Sequence, residues 1–277
     1  MLRLLHIEYY KLIHNKASKV LIIIYFALLS LISLFASIKF DIGPIKFHLA
    51  KLGIFNFPYI WHFNTFMAAL LKFFLLLVIV SMVANEYSNK TLKQNLIDGL
   101  SKKEFILSKF YTVLALSLIS TLFVFLVSLI LGLVYSSYNE VSIIFTDLEF
   151  LLAFFVKLIG FFSFGLFLGM LIKRSAFAVA AMIVLFLIEF FSYVFISGYQ
   201  KGTQTTDKIF QFLPFKSMWN LIDEPISRLS AVKKVAEQVG EELKYDYAVH
   251  WYEIAIVLGW TALFIFLSYK LLKKRDL

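Results

Sequence analysis

Few side chains in this sequence can do chemistry, and their spacing excludes most reactions. With no Cys among 277 residues there is no thiolate nucleophile, no thiolate metal site and no disulfide. His62 and His250 flank apolar runs and do not sit at mid-depth within them, an arrangement that does not suit haem or zinc. No His-Glu-x-x-His, Gly-x-Ser-x-Gly or Gly-x4-Gly-Lys-Ser/Thr is present. Zinc hydrolysis, acyl transfer and ATP binding through a phosphate loop therefore all lack their residues. The sequence predicts no catalytic residue, no metal ligand and no cofactor held by this chain. What remains is three ionisable residues inside apolar runs: Lys72, Lys157 and Glu189. A charge facing lipid costs about 2.5–3.5 kcal/mol even on the lenient insertion scale. Either lysine can snorkel outward. Glu189 is too short for that, which makes it the better functional candidate. Lys157 and Glu189 fall at similar depth in neighbouring antiparallel runs, so they are expected to face each other or a shared polar cavity, with Lys72 as the alternative partner.

The runs that carry these residues set the fold class. The chain is 61% hydrophobic, 18% aromatic and 16% charged, against about 45–50% apolar and about 25% charged in a soluble domain. The apolar excess gathers in stretches of span length: 20–38, 63–84, 110–134, 150–172, 176–196 and 251–267. About 20 residues of helix cross about 30 Å of hydrocarbon, and backbone groups in lipid must be satisfied within the segment, so each run is expected to be a helix. The expectation is an all-α integral membrane protein of six spans forming one domain, 1–277. The first run starts near residue 20, has span length and lacks a small-residue cleavage site, so it reads as a span and not as a leader. Gly165-x3-Gly169 within the fourth run fits close helix packing.

Lysine and arginine give the orientation. With the N-terminus inside, the inner segments hold fifteen Lys and Arg and the outer ones ten, seven of them in the long 197–250 loop. The short 135–149 loop has none, yet carries Glu140, Asp147 and Glu149. The positive-inside rule therefore predicts both ends in the cytoplasm. The net charge of +9 follows from the same bias and points to membrane lipid, not to nucleic acid.

Three non-spanning segments have patterns of their own. Residues 1–19 read as an interfacial helix, with Leu2, Leu5, Tyr9, Leu12 and Ile13 on one face and Arg3, Lys11, His14 and Asn15 largely on the other. A plain positive flank is the alternative. In the 85–109 loop a short helix is expected over 88–98, ended by Gly99 in a left-handed cap. Ser101-Lys102-Lys103-Glu104 is a capping box that starts the third span. Leu92, Leu96 and Leu100 form an apolar stripe on that short helix, expected to face a partner. In the outer loop Ile226, Leu229, Val232, Val235, Val239 and Leu243 recur at helical spacing after Pro225.

The pattern Glu86-x4-Thr91-Leu92, a further Leu at 96, Gly99-Leu100-Ser101-Lys102 and then Lys109 resembles the permease subunits of type-2 ABC exporters. The surface helix, six spans, large loop before the last span and the Lys-Lys-Arg-Asp-Leu tail are similar too. Family members often carry Gly and Arg where this chain has Lys90 and Lys102. The resemblance implies that the 85–109 loop couples to a separate ABC ATPase that binds ATP and Mg, through Glu86, Thr91, Leu92, Leu96, Gly99, Ser101, Lys102 and Lys109. It also implies a second permease copy, as homodimer or close heterodimer, in a bacterial-type cytoplasmic membrane. A non-transporting anchor or immunity subunit shares the same layout.

Overall fold

A computed structural model describes residues 2–37, 40–42, 45–47, 53–138, 140–199, 203–229, 232–233, 237–238 and 246–275. Among the described residues twelve α-helices follow in chain order. They are α1 Leu2–His14, α2 Lys16–Ser37, α3 Tyr59–Leu70, α4 Lys72–Ser88, α5 Thr91–Ile97 and α6 Lys102–Tyr135, followed by α7 Val141–Ile144, α8 Glu149–Ile172, α9 Ser175–Tyr199, α10 Thr203–Phe210, α11 Pro214–Asn220 and α12 Trp251–Lys274. One small feature departs from the all-α expectation. β1 (Phe40–Ile42) and β2 (Ile45–Phe47) pair antiparallel, with Phe40 opposite Phe47.

Among the described residues five helices, α2, α6, α8, α9 and α12, are long and apolar enough to cross a membrane. Residues 63–84, expected as one span, lie in two helices: α3 and α4 bend by 46° at their junction. The bend sits at Leu71, whose N–H reaches Ala68 O and whose carbonyl accepts from Phe74 N–H (both 3.1 Å). These three-residue closures tighten the turn and redirect the axis. Counted together, the bent pair is the sixth candidate span. At 34 residues α6 is about 51 Å long, well beyond the hydrocarbon thickness of about 30 Å.

The buried axis of the bundle is α8. From Val156 to Met170 only Phe167 falls short of full burial, and α8 packs against α3, α4, α6, α9, α11 and α12. Small residues allow these approaches. A Cβ on Gly165 would lie 2.3 Å from Leu76 Cδ1, and one on Gly160 would lie 2.7 Å from Val257 Cγ1. The Gly165-x3-Gly169 pair thus seats α4 against α8, as its spacing predicts. By contrast, α9 buries only Ala178 and Met182.

The connecting segments sort to two ends, as the alternation of spans requires. At one end α1, α5, the start of α6 and the end of α12 meet. At the other, Trp61 Nε1 donates to Ile144 O (2.8 Å), Tyr59 OH to Pro225 O (2.7 Å) and Arg228 to Asp147 (2.8 Å). The outer-loop helix expected over 226–243 lies largely outside the described residues. Its described start is a 3-10 turn, Ile226–Arg228, followed by an extended Leu229 (φ −67°, ψ 134°). The Glu224 carboxylate accepts the N–H groups of Ile226 and Ser227 at 2.9 and 3.2 Å, which closes that turn locally.

Candidate functional site

The 85–109 loop turns sharply on either side of α5, at Lys90 and at Gly99. Lys90 adopts φ 56°, ψ 15° between α4 and α5. This is the left-handed conformation that glycine adopts most readily. At the other end of α5, Gly99 has φ 96°. Leu100 N–H bonds to Asn95 O at 3.0 Å and Gly99 N–H to Leu96 O at 3.3 Å, the paired closure of a Schellman motif. Ser101 then starts α6. Its hydroxyl accepts Glu104 N–H (3.1 Å) while its own N–H donates to the Glu104 carboxylate (3.0 Å), completing the capping box.

A buried ion network fastens this loop to the bundle. Lys109, fully buried, donates to Glu86 Oε1 at 2.6 Å and to Glu8 Oε2 at 2.7 Å. Lys11 adds a bond to Glu86 Oε1 at 2.8 Å. The second Glu86 oxygen accepts from Thr91 (2.6 Å) and Asn95 (3.2 Å), both on α5. One carboxylate therefore joins α1, α4, α5 and α6. Such a cluster survives out of water because each charge has a partner and the remaining lone pairs are hydrogen-bonded. The C-terminal end of α12 closes the other flank. Lys102 Nζ donates to Arg275 O at 2.9 Å, and the Arg275 guanidinium reaches Met170 O (2.8 Å) and Tyr87 OH (3.0 Å). A cation here satisfies carbonyls at the end of α8.

The leucine stripe faces inward, a correction to its expected direction. Leu92 is 2% exposed and belongs to the bundle core, with Leu96 and Leu100 packed against it. These residues are the anchor of α5. Its outward face carries Lys93, Gln94, Ile97 and Asp98, and Ile97 is 75% exposed.

The intramembrane trio does not pair as expected. Glu189 accepts the backbone N–H groups of Phe215 (3.2 Å) and Lys216 (2.6 Å), in the first turn of α11. Lys157 Nζ points to the other end of the same helix, toward the carbonyls of Trp219 and Ile222, each at 3.4 Å. An anion at the N-terminus and a cation at the C-terminus complement the helix dipole. Both charges therefore grip α11, and neither grips the other. Asp223 follows directly; burial pushes its carboxyl up, opposed by the Lys157 ammonium. Lys72 sits at the α3–α4 bend, its ammonium 4.6 Å from the Phe161 ring centre.

The model of the ABC-2 family transporter protein matches residues 2–277. The chain belongs to that family. A search of curated proteins returns no match. An ABC-2 permease is a membrane transport component, not itself a catalyst, and its family works with an ABC ATPase.

In this ABC-2 permease Glu86, Thr91 and Lys109, which the sequence offered as coupling residues, meet at the Glu86 carboxylate. The sequence reading missed Glu8, Asn95 and Arg275. Glu8 carried a signal: it is a lone acid on a helix otherwise basic, three residues from Lys11. Lys109 carried another, as the last cation before a long apolar run. Asn95 and Arg275 gave none.

Proposed function

We propose that this ABC-2 permease is the membrane half of an ATP-driven exporter, with a separate ATPase docking on the 85–109 loop from the cytoplasm. The Glu86 network carries the reading. A docked partner can move a bundle only through an element that does not yield first, and here α5 is closed at its C-terminal end by a Schellman motif and tied through Glu86 to three other helices. Force applied to α5 passes into α4, α6 and α1 together. The 46° bend at Leu71 then divides α4, which would follow the loop, from α3, which is held at the outer end by Tyr59 and Trp61. Opposed motion about that bend is a route to alternating access. The positive-inside bias supports the orientation. A second permease copy would complete the pathway. The aromatic, weakly charged spans suit a lipidic or amphipathic peptide cargo.

In this arrangement the docking face is the solvent side of α5, with Ile97 as its apolar knob between Lys93 and Asp98. Burying such a side chain contributes about 1.5–3 kcal/mol, and an unpaired carboxylate in its place costs more. Ile97→Asp should abolish recovery of the ATPase with the permease while leaving the permease in the membrane. Undiminished co-purification would remove α5 as the docking element. Leu92→Asp should instead lower the amount of permease itself, because Leu92 faces its own core.

A further inference from the structure

A cleft of about 320 Å³ opens between the α1–α2 elbow and the turn after α4, lined by Lys11, Asn15, Ser18, Asn85, Glu86 and Asn89 among others. Its polar lining sets the donors of Lys11, Ser18, Asn85 and Asn89 beside the Glu86 carboxylate. Asn15 caps α2 by accepting Ser18 N–H at 3.1 Å, so the first turn of this 22-residue helix directs its earliest N–H groups toward the elbow. Ser18 is 1% exposed, and its hydroxyl has no partner among the described residues. The side-chain amides of Asn85 and Asn89 likewise make no bond among the described residues. Lys11 reaches Glu86 at 2.8 Å and still has donor capacity. The carboxylate on the wall, Glu86, is neutralised on one oxygen by Lys11 and Lys109 and bonded on the other by Thr91 and Asn95.

A helix N-terminus, an ammonium, an orphan hydroxyl and free amides converging on one space form an anion site. We propose that this cleft binds the phosphate of an anionic phospholipid headgroup, from the leaflet on which α1 lies. The flanking surface identifies the lipid source. The outward face of α1 presents Ile7, Tyr9, Tyr10 and Ile13, with both tyrosines more than 60% exposed. Aromatic residues with polar tips belong at headgroup level. Directly beyond the cleft, α2 enters the apolar layer. The headgroup shares Lys11 with Glu86, so its arrival touches the same ammonium that ties α1 to α4.

The test uses the full chain, reconstituted in vesicles of phosphatidylcholine and phosphatidylglycerol in equal amounts, with retained lipids counted by native mass spectrometry. The wild type should keep phosphatidylglycerol in preference to phosphatidylcholine. Asn89→Asp, a near-isosteric change that adds a negative charge to the wall, should weaken retention about tenfold or more. Ser18→Ala should weaken it several-fold with the fold unchanged by circular dichroism. Gln94→Glu adds the same charge on the exposed side of α5, outside the cleft, and should leave retention unchanged. Equal loss in Gln94→Glu and Asn89→Asp would overturn the proposal, as would equal retention of the two lipids. Inorganic phosphate binding the lipid-free protein as tightly as the lipid does, measured by titration calorimetry, would overturn the lipid assignment.

Discussion

Replacing Lys109 by Met tests whether the ion network holds the loop region together. Methionine keeps much of the length of the stem, which lies 5.1 Å from the Phe105 ring at its ammonium end, and removes only the charge. Two charge-assisted bonds of 2.6 and 2.7 Å disappear. Glu86 retains Lys11, Thr91 and Asn95, whereas Glu8 retains only the Ser108 hydroxyl at 3.3 Å and Lys11 at 3.7 Å. The side chains of Glu8, Glu86 and Lys109 are all at most 4% exposed, so solvent screening gives little relief. Stranding a buried charge in this way costs about 3–5 kcal/mol. Glu8→Gln alone keeps the Lys109–Glu86 pair and should cost about 1–3 kcal/mol. The double variant removes the stranded carboxylate along with its partner, so it should be more stable than the sum of the singles by at least about 1 kcal/mol. The assay is equilibrium unfolding of purified protein in mixed micelles with increasing dodecyl sulfate, followed by circular dichroism. A Lys109→Met variant within about 0.5 kcal/mol of wild type, or strict additivity in the cycle, would refute the reasoning.

Three further outcomes follow from other parts of the bundle. Single Cys residues placed at Glu140 and Asp246 should react with an impermeant thiol reagent in intact cells and one at Lys93 should not; labelling at Lys93 would invert the orientation and remove the docking assignment. Gly165→Val should destabilise the bundle by about 1–3 kcal/mol through overpacking against Leu76, whereas Gly259→Ala, with nothing within 4 Å of its Cβ, should be neutral or stabilising by up to about 1 kcal/mol. Glu189→Lys should impair assembly of the outer end by placing a cation at the start of α11, and adding Lys157→Glu should not rescue it; rescue would show that the two side chains meet after all.

The long apolar helices were legible because crossing lipid imposes one strong compositional requirement, a predominantly apolar run, that each segment meets by itself. The caps were legible for a related reason. Ser101 and Glu104 answer each other across three residues, and Gly99 supplies a backbone angle that few residues adopt, so local chemistry suffices. The bend at Leu71 was not legible, since neither proline nor glycine marks it. The direction of the Leu92 stripe was also beyond local pattern. Periodicity shows that an element has an apolar face, but the same face serves a partner or the parent bundle equally well. Here Glu86 decides the matter, because its bonds to Thr91 and Asn95 hold α5 with Leu92 turned inward.

The charges divide along the same line. Lys109 finds Glu8 and Glu86 at sequence separations of 101 and 23 residues, and only the folded bundle selects those two carboxylates from the eighteen acids of the chain. For Lys157 and Glu189 the sequence supplied an apparent answer, opposite charges at equal depth. That argument counted side chains alone. A short helix offers unsatisfied N–H groups at one end and carbonyls at the other, and each end can satisfy a buried charge as well as a counter-ion can. In α11 both ends are used at once, Glu189 on the first turn and Lys157 on the last. The two ionisable residues thereby escape lipid without forming an ion pair, and in doing so they fix a helix of the outer loop against α8 and α9.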